Sequence, residues 1–150
     1  MDAKDKKLLE LLQKNGRESL TNLSKAVKLS IDATNKRIKK LHEAGIIHRF
    51  GIFINPKAMG YDLVATVQIK LNNISEEELN RLISYLKAHK NVIELITLLG
   101  EYDVACVLIA KNTEEMDSLF REIRQKFKSL IAGWRSEINL KVHKFEEYSF

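Results

Sequence analysis

Residues 61–145 alternate between strand-like and helix-like segments, and this alternation restricts the possible folds more than any other feature of the chain. Four runs rich in β-branched residues predict strands, and two segments with apolar residues at helical spacing predict helices. In chain order they are strand 61–71, helix 75–90, strands 91–100 and 102–110, helix 112–130 and strand 134–145. This order predicts an α+β, ferredoxin-like βαββαβ sandwich. Helices cover only one face of such a sheet, so we expect a homodimer and higher homo-oligomers.

The first third of the chain predicts three short helices. The first begins at a capping residue, Asp2, and ends at Gly16. Ser19 can cap the second, and Ser30 can cap a third that ends at Gly45. The second and third helices are separated by only a few residues, as in a helix-turn-helix.

The charge of the chain is concentrated in the same region. Residues 1–50 hold 12 Lys and Arg against 6 Asp and Glu, a net charge of +6, whereas residues 51–150 hold 13 against 14, a net charge of −1. Such an asymmetry indicates a polyanionic partner for the basic part, although cationic surfaces also serve solubility. Charge alone leaves both interpretations open.

The third predicted helix has the pattern of a recognition helix. Thr34, Ile38 and Leu41 form its inward stripe. The outer face is predicted to read bases in a major groove through Ile31, Asp32, Ala33, Asn35 and Lys36, and the capping residue Ser30 is a further candidate for DNA binding. Phosphate contacts are predicted for Arg37, Lys39, Lys40 and His42. The alternative is a small helical subdomain whose cationic face is merely solvated.

The segment after Gly45 predicts a domain boundary. Residues 46–55 are rich in β-branched and aromatic residues and predict a strand or hairpin, and Pro56 and Gly60 follow them. We therefore predict a basic helix-turn-helix domain at 1–50, a strand and linker at 51–60, and a second, oligomerising domain at 61–150, to which the family resemblance described next adds effector binding.

An ordered series of residues resembles the Lrp/AsnC, or feast/famine, family of transcription regulators. The matching residues are Arg17, Leu23, Ser24, Val27, Leu29, Ser30, Arg37, Ile38, Leu41, Gly45, Ile46, Ile47, Asn55, Pro56 and Gly60. The resemblance covers essentially the whole chain. It implies an N-terminal DNA-binding domain and a C-terminal domain that oligomerises and senses small molecules, usually amino acids.

Two departures from the family pattern concern Thr34 and the last strand. The family usually has a small aliphatic residue where Thr34 stands, and we expect the threonine methyl group to pack inward. The family tends to carry threonines on its last strand, where this chain reads GWRSEINLK. The second departure bears on the identity of a ligand more than on the fold.

The sequence GEYD, residues 100–103, has two interpretations. As a hairpin turn, it would use Gly100 for a positive φ and Asp103 to bond its own backbone. The family resemblance implies instead that the turn helps to hold an effector amino acid where dimers meet. The candidate effector residues are Thr97, Leu98, Gly100, Tyr102 and Asp103, with Ser136 and Asn139 on the last strand.

Several classes of protein are disfavoured by the composition. The four histidines are scattered without ligand spacing, and no glycine-rich loop joins a strand to a helix, so we predict neither an enzyme nor a cofactor or metal site. The single cysteine and the absence of an 18-residue apolar run predict a cytoplasmic protein with no membrane span. The function predicted is an amino-acid-responsive, sequence-specific DNA-binding regulator. The alternative is a sensor or assembly module that does not act on DNA.

Overall fold

The computed structural model describes residues 1–72 and 75–150, which form two compact units. The first comprises residues 1–53 together with 143–150, and the second comprises residues 54–142. The elements are α1 (Ala3–Lys14), α2 (Leu20–Val27), α3 (Ile31–Glu43), β1 (Leu63–Leu71), α4 (Glu76–Ala88), β2 (Val92–Thr97), β3 (Val104–Ala110), α5 (Thr113–Lys126) and β4 (Ile131–Ile138). The predicted helix-turn-helix followed by an α+β domain is therefore confirmed.

The helix starts of the first unit follow the sequence prediction. The Asp2 carboxylate accepts hydrogen bonds from the N–H groups of Lys4 and Asp5, and the Asp5 carboxylate accepts one from the Asp2 N–H in return. Ser19 caps α2, and Ser30 caps α3. Each cap satisfies N–H groups that have no partner within the helix.

The helix ends agree less well with the prediction. Gly45 has a φ of +72° just beyond α3, as expected of a C-terminal glycine. The first helix, however, ends at Lys14 with Asn15 as its extended cap, so Gly16 is not the residue that stops it. At the end of α2 the left-handed position is occupied by Lys28, with a φ of 53°.

The core of the first unit is small and apolar. Leu8, Leu23 and Val27 pack together, and Thr34 and Leu41 of α3 are buried as predicted. Thr34 is fully buried, and its hydroxyl donates to the Ser30 carbonyl at 2.9 Å. This bond inside the helix satisfies the only polar group of the side chain, which explains how a threonine occupies an inward position.

The predicted strand at residues 46–55 is not present. These residues have no regular secondary structure, and a 3-10 turn at Lys57–Met59 follows. Ile52 and Phe53 are 80% and 83% exposed. A strand requires a neighbour for its backbone hydrogen bonds, and residues 46–55 have none in the described part of the chain.

The second unit is an antiparallel four-stranded sheet in the order β2-β3-β1-β4. Alternate residues of β1, such as Val67 and Ile69, are buried against α4 and α5, which contribute Leu82, Leu86 and Ile123. Cys106 lies in the same core, and burial raises the pKa of its thiol to about 12. Both helices of the second unit, α4 and α5, pack on the same face of the sheet.

The ends of two elements differ from the prediction. The last strand runs from Ile131 to Ile138 rather than from 134 to 145, and residues 143–150 return to the first unit. The helix predicted over 75–90 is α4 at Glu76–Ala88, and Ser75 caps it by accepting from the Glu78 N–H at 3.2 Å.

An ion pair joins α3 to the start of α1. The Arg37 Nη1 atom lies 2.8 Å from both Asp2 Oδ2 and Asp5 Oδ1. The pKa of the Asp2 carboxyl is lowered, chiefly because Asp5 donates its N–H to it and further because Arg37 bonds to it. Through this one nitrogen the guanidinium bridges two carboxylates that also cap α1, and both hydrogen bonds are charge-assisted.

We expect Arg37→Gln to lower the protection of the α1 amides from hydrogen exchange, because it removes the ion pair with Asp2 and Asp5. The matched control is Lys39→Gln, which also removes one positive charge. Lys39 is exposed and forms no ion pair in the described chain, so this variant should keep the protection of α1. Hydrogen exchange of the α1 amides measures the difference. Because the pKa of Asp2 is lowered in the folded protein, its ionised carboxylate stabilises the fold at pH values above 3.8, the ordinary pKa of the group. This stabilisation is lost as the pH falls through the lowered pKa. Equal α1 protection in both variants at neutral pH would contradict this role of Arg37.

Candidate DNA interface and effector site

The outer face of α3 is exposed and cationic. Asp32, Lys36, Lys39 and Lys40 are exposed, and Ala33 and Asn35 beside them are half-buried. In residues 1–72 and 75–150 the three lysines form no ion pair, so their ammonium groups face solvent. The face can thus offer cations to phosphates and a side-chain amide, that of Asn35, to a base edge.

The remaining candidate DNA-binding residues lie at the two ends of α3. The Ser30 hydroxyl accepts from the Ala33 N–H at 3.2 Å and is therefore engaged as the helix cap. Ile31 is an exposed apolar residue at this end of the helix. His42, a candidate phosphate contact, is exposed in the last turn.

Arg37, predicted to contact phosphate from the outer face of α3, instead faces α1. Its side chain is half-buried between α3 and α1, where Asp2 and Asp5 occupy it. Sequence reasoning assigned it to the outer face because it belongs to a run of cations. The two aspartates at the cap of α1 were the only signal of its actual partners.

The β2–β3 connection brings together five of the candidate effector residues. It is a six-residue loop, Leu98–Asp103, closed by the Leu98 N–H, which donates to the Asp103 carbonyl at 2.7 Å. The predicted tight turn is therefore wrong, and Gly100 is not in the left-handed region. Thr97, Leu98 and Gly100 are exposed, whereas Tyr102 and Asp103 are half-buried.

Asp103 bonds to β1 and not to its own backbone. Its Oδ2 atom accepts from the Leu71 N–H at 2.7 Å, and its N–H donates to the Ile69 carbonyl at 3.0 Å. The hydrogen bond falls where the pairing of β1 with β4 shifts register, between Lys70 and Leu71. The carboxylate thus satisfies an N–H at an irregularity of the sheet, and its Oδ1 atom accepts no hydrogen bond from the described residues.

The two candidates from the end of the chain lie apart from this loop. Ser136 pairs with Val67, so it lies on the face of the sheet that carries the helices. Asn139 accepts from the Thr66 hydroxyl at 2.9 Å and donates its N–H to the Val64 carbonyl at 2.8 Å. Val64 and Ile69 are five positions apart along β1, so Asn139 and Asp103 are anchored about 15–20 Å apart. One chain does not assemble all seven candidates into one pocket.

The described residues contain no cluster of three or more His, Cys, Asp or Glu side chains that could hold a metal ion. Among the described helices, none is both long and apolar enough to cross a membrane.

Two family models match the two halves of the chain. A model described as winged helix-turn-helix DNA-binding matches residues 1–48. A model described as the Lrp/AsnC ligand binding domain matches residues 64–147. The basic helical unit and the sheet unit therefore correspond to a DNA-binding module and a ligand-binding module.

Similar proteins support the same assignment over the full length. The HTH-type transcriptional regulator FL11 of Pyrococcus furiosus is 33% identical over 144 residues, which cover 96% of this chain and 92% of that protein. The HTH-type transcriptional regulator Ptr1 of Methanocaldococcus jannaschii is 35% identical over 124 residues, covering 81% and 80%.

Solved structures share the fold. The transcriptional regulator NMB0573 of Neisseria meningitidis, determined as a complex with L-Met, superposes with a TM-score of 0.85 at 22% identity, covering 97% of this chain and 93% of that one. Together with the two family models and the full-length relatives, this fold identifies the chain as a member of the Lrp/AsnC family of helix-turn-helix transcription regulators.

Proposed function

We propose that the outer face of α3 enters the major groove of double-stranded DNA and that its N-terminal half reads the bases. The observation that supports this most is the row of unpaired lysines, Lys36, Lys39 and Lys40, on an exposed face of a unit whose first 50 residues carry a net charge of +6. Base contacts are proposed for Ile31, Asp32, Ala33, Asn35 and Lys36. Phosphate contacts are proposed for Lys39, Lys40 and His42, but not for Arg37.

The proposed working form is an assembly of copies built on the face of the sheet opposite α4 and α5. Thr66, Ala105 and Val107 lie on that face. Apolar residues at the edge of the sheet are also exposed, including Ile96 and Leu99 of β2 and its loop, and so are Ile52 and Phe53 near the linker. Burying such surface favours association, and a symmetric dimer would present two recognition helices to half-sites about one helical turn apart.

A charged substitution at the centre of this face should separate the copies. Val107→Asp would place an uncompensated carboxylate at the interface, beside Glu94 on the neighbouring strand. We expect sedimentation velocity to show a smaller species than the wild type. Ser84→Asp, on the exposed surface of α4, is the matched control. Fluorescence of Trp134, the only tryptophan, checks that the second unit is folded. A wild type that is monomeric at all concentrations would overturn the proposed assembly.

Lysine neutralisation on α3 should reduce the salt dependence of DNA binding. With the DNA upstream of the protein's own gene and a scrambled duplex, log affinity should fall linearly with log salt, and the first duplex should bind more tightly. Replacing Lys39 and Lys40, the two lysines proposed as phosphate contacts, by Gln should reduce the slope by about 1.8, since each phosphate contact contributes about 0.9. Replacing Lys87 and Lys90, which are exposed in the second unit, should leave it unchanged. Equal, weak binding of both duplexes would contradict sequence-specific recognition.

The ligand proposed for the second unit is an amino acid held near the β2–β3 loop. The related fold of NMB0573 was determined with L-Met, and Asp103 offers a carboxylate with one free oxygen. That oxygen suits an ammonium group. Because the relatives are named as transcriptional regulators, we propose a sensing role without catalysis.

Asp103 permits a substitution that separates structure from binding. Asp103→Asn keeps an oxygen that can accept from the Leu71 N–H but removes the charge that would pair with an ammonium group. Charge-assisted bonds contribute about 1.5–3 kcal/mol, so the effector concentration that shifts DNA affinity should rise about tenfold or more. Urea unfolding followed by Trp134 fluorescence should remain near that of the wild type, whereas Asp103→Ala should also be less stable. An unchanged response of Asp103→Asn to a pool of amino acids would exclude Asp103 as the ammonium partner.

A further inference from the structure

The last eight residues of the chain belong to the DNA-binding unit and not to the sheet. The chain leaves the first unit after Phe53 and returns to it after Val142. We refer to residues 143–150 as the C-terminal segment. The first unit is thus connected to the second at two points along the chain.

A paired hydrogen bond fixes the C-terminal segment to α1. The Gln13 Nε2 atom donates to the Tyr148 carbonyl at 3.1 Å, and the Tyr148 N–H donates to Gln13 Oε1 at 2.9 Å. The side-chain amide therefore engages both polar backbone groups of one residue, as a neighbouring strand would. This geometry recognises an extended backbone irrespective of its side chain.

A second contact lies at the point where the chain leaves the unit. The rings of Phe53 and Phe145 are 5.5 Å apart between centroids and nearly perpendicular, at 78°. Such an edge-to-face pair is attractive. The C-terminal segment is therefore held to α1 through Tyr148 and to the residue that precedes the linker through Phe145.

A left-handed residue lies between these two contacts. Glu146 has a φ of 43°, which is unfavourable for a residue with a side chain. The bend allows Phe145 and Tyr148 to reach separate partners. Its cost, together with the exposure of every residue from 143 to 150, indicates a contact that opens readily.

The start of the segment is tied to the sheet over a short distance. Asn139 is fixed to β1 through Thr66 and Val64, and only six positions separate Asn139 from Phe145. The C-terminal segment therefore follows the end of β4 after a short stretch of backbone. This is a physical connection between the ligand-binding unit and α1 that is separate from the linker after Phe53.

We propose that the C-terminal segment is a reversible latch, which docks on Gln13 and Phe53 and restricts the movement of the DNA-binding unit on its linker. A unit held at two points explores fewer orientations than a unit held at one, so docking pre-organises paired recognition helices for DNA. The consequence for DNA rests on the proposed function, whereas the docking itself does not.

The docking is tested in the full-length protein by amide exchange. Glu146→Pro fixes φ near −65° and so forbids the bend, without altering Gln13, Phe145 or Tyr148. We expect the Tyr148 amide to exchange at the rate of an unstructured peptide in this variant and in Gln13→Ala. In the wild type and in Glu146→Gln, which removes the same charge but permits the bend, exchange should be slower. Equally fast exchange in the wild type would overturn the latch.

The effect on DNA is tested with duplexes that carry one or two half-sites. Undocking should weaken binding to the two-site duplex by about tenfold and leave the one-site duplex unchanged, because only simultaneous engagement depends on orientation. Undocking without this difference would overturn the restraint on the DNA-binding unit. If the wild type bound neither duplex, the proposed DNA function would fail, while the exchange experiment would still decide the docking.

Discussion

The pairing of β1 with both of its neighbours is the interaction on which the second unit depends. This strand lies inside the sheet between β3 and β4, and its buried residues form the centre of the core. Two polar residues of the candidate ligand-binding unit, Asp103 and Asn139, also form hydrogen bonds to this strand. Asp103 bonds at the Leu71 end, and Asn139 bonds near Val64 and Thr66. A change in the backbone of β1 would thus reach the β2–β3 loop and the end of β4 together.

Charge in the first unit is divided between structure and exposed surface. Arg37 faces the capping carboxylates of α1, whereas Lys36, Lys39 and Lys40 face solvent. Arginine is suited to the first role because its planar guanidinium can serve two carboxylates at once, and lysine is suited to flexible phosphate contacts. The residue type therefore agrees with the position that each cation occupies on α3.

Local chemistry made much of this fold predictable from the sequence. Ser19, Ser30 and Asp2 were identifiable as caps because each precedes a segment of helical periodicity, and the order of the strands followed from their alternation with helices. The partners of the Asp103 carboxylate and the Arg37 guanidinium within the chain, Leu71 and Asp2, were not predicted because they are distant in sequence. The return of residues 143–150 to α1 has the same origin, since Gln13 and Tyr148 are 135 positions apart.

The failed strand prediction at residues 46–55 has a different physical cause. The composition of this segment is that of a strand, yet no strand of the described chain pairs with it, and Ile52 and Phe53 remain exposed. The composition of a segment indicates whether its side chains would pack well in a sheet. A strand also needs the backbone of a second strand beside it for hydrogen bonding. In the proposed assembly another copy can supply that backbone. The same segment precedes the linker, and Phe53 contacts Phe145, so docking of the C-terminal segment and pairing of residues 46–55 would act on one short region. A restraint on this region from both sides would limit the orientation of α3 more strongly than the linker alone.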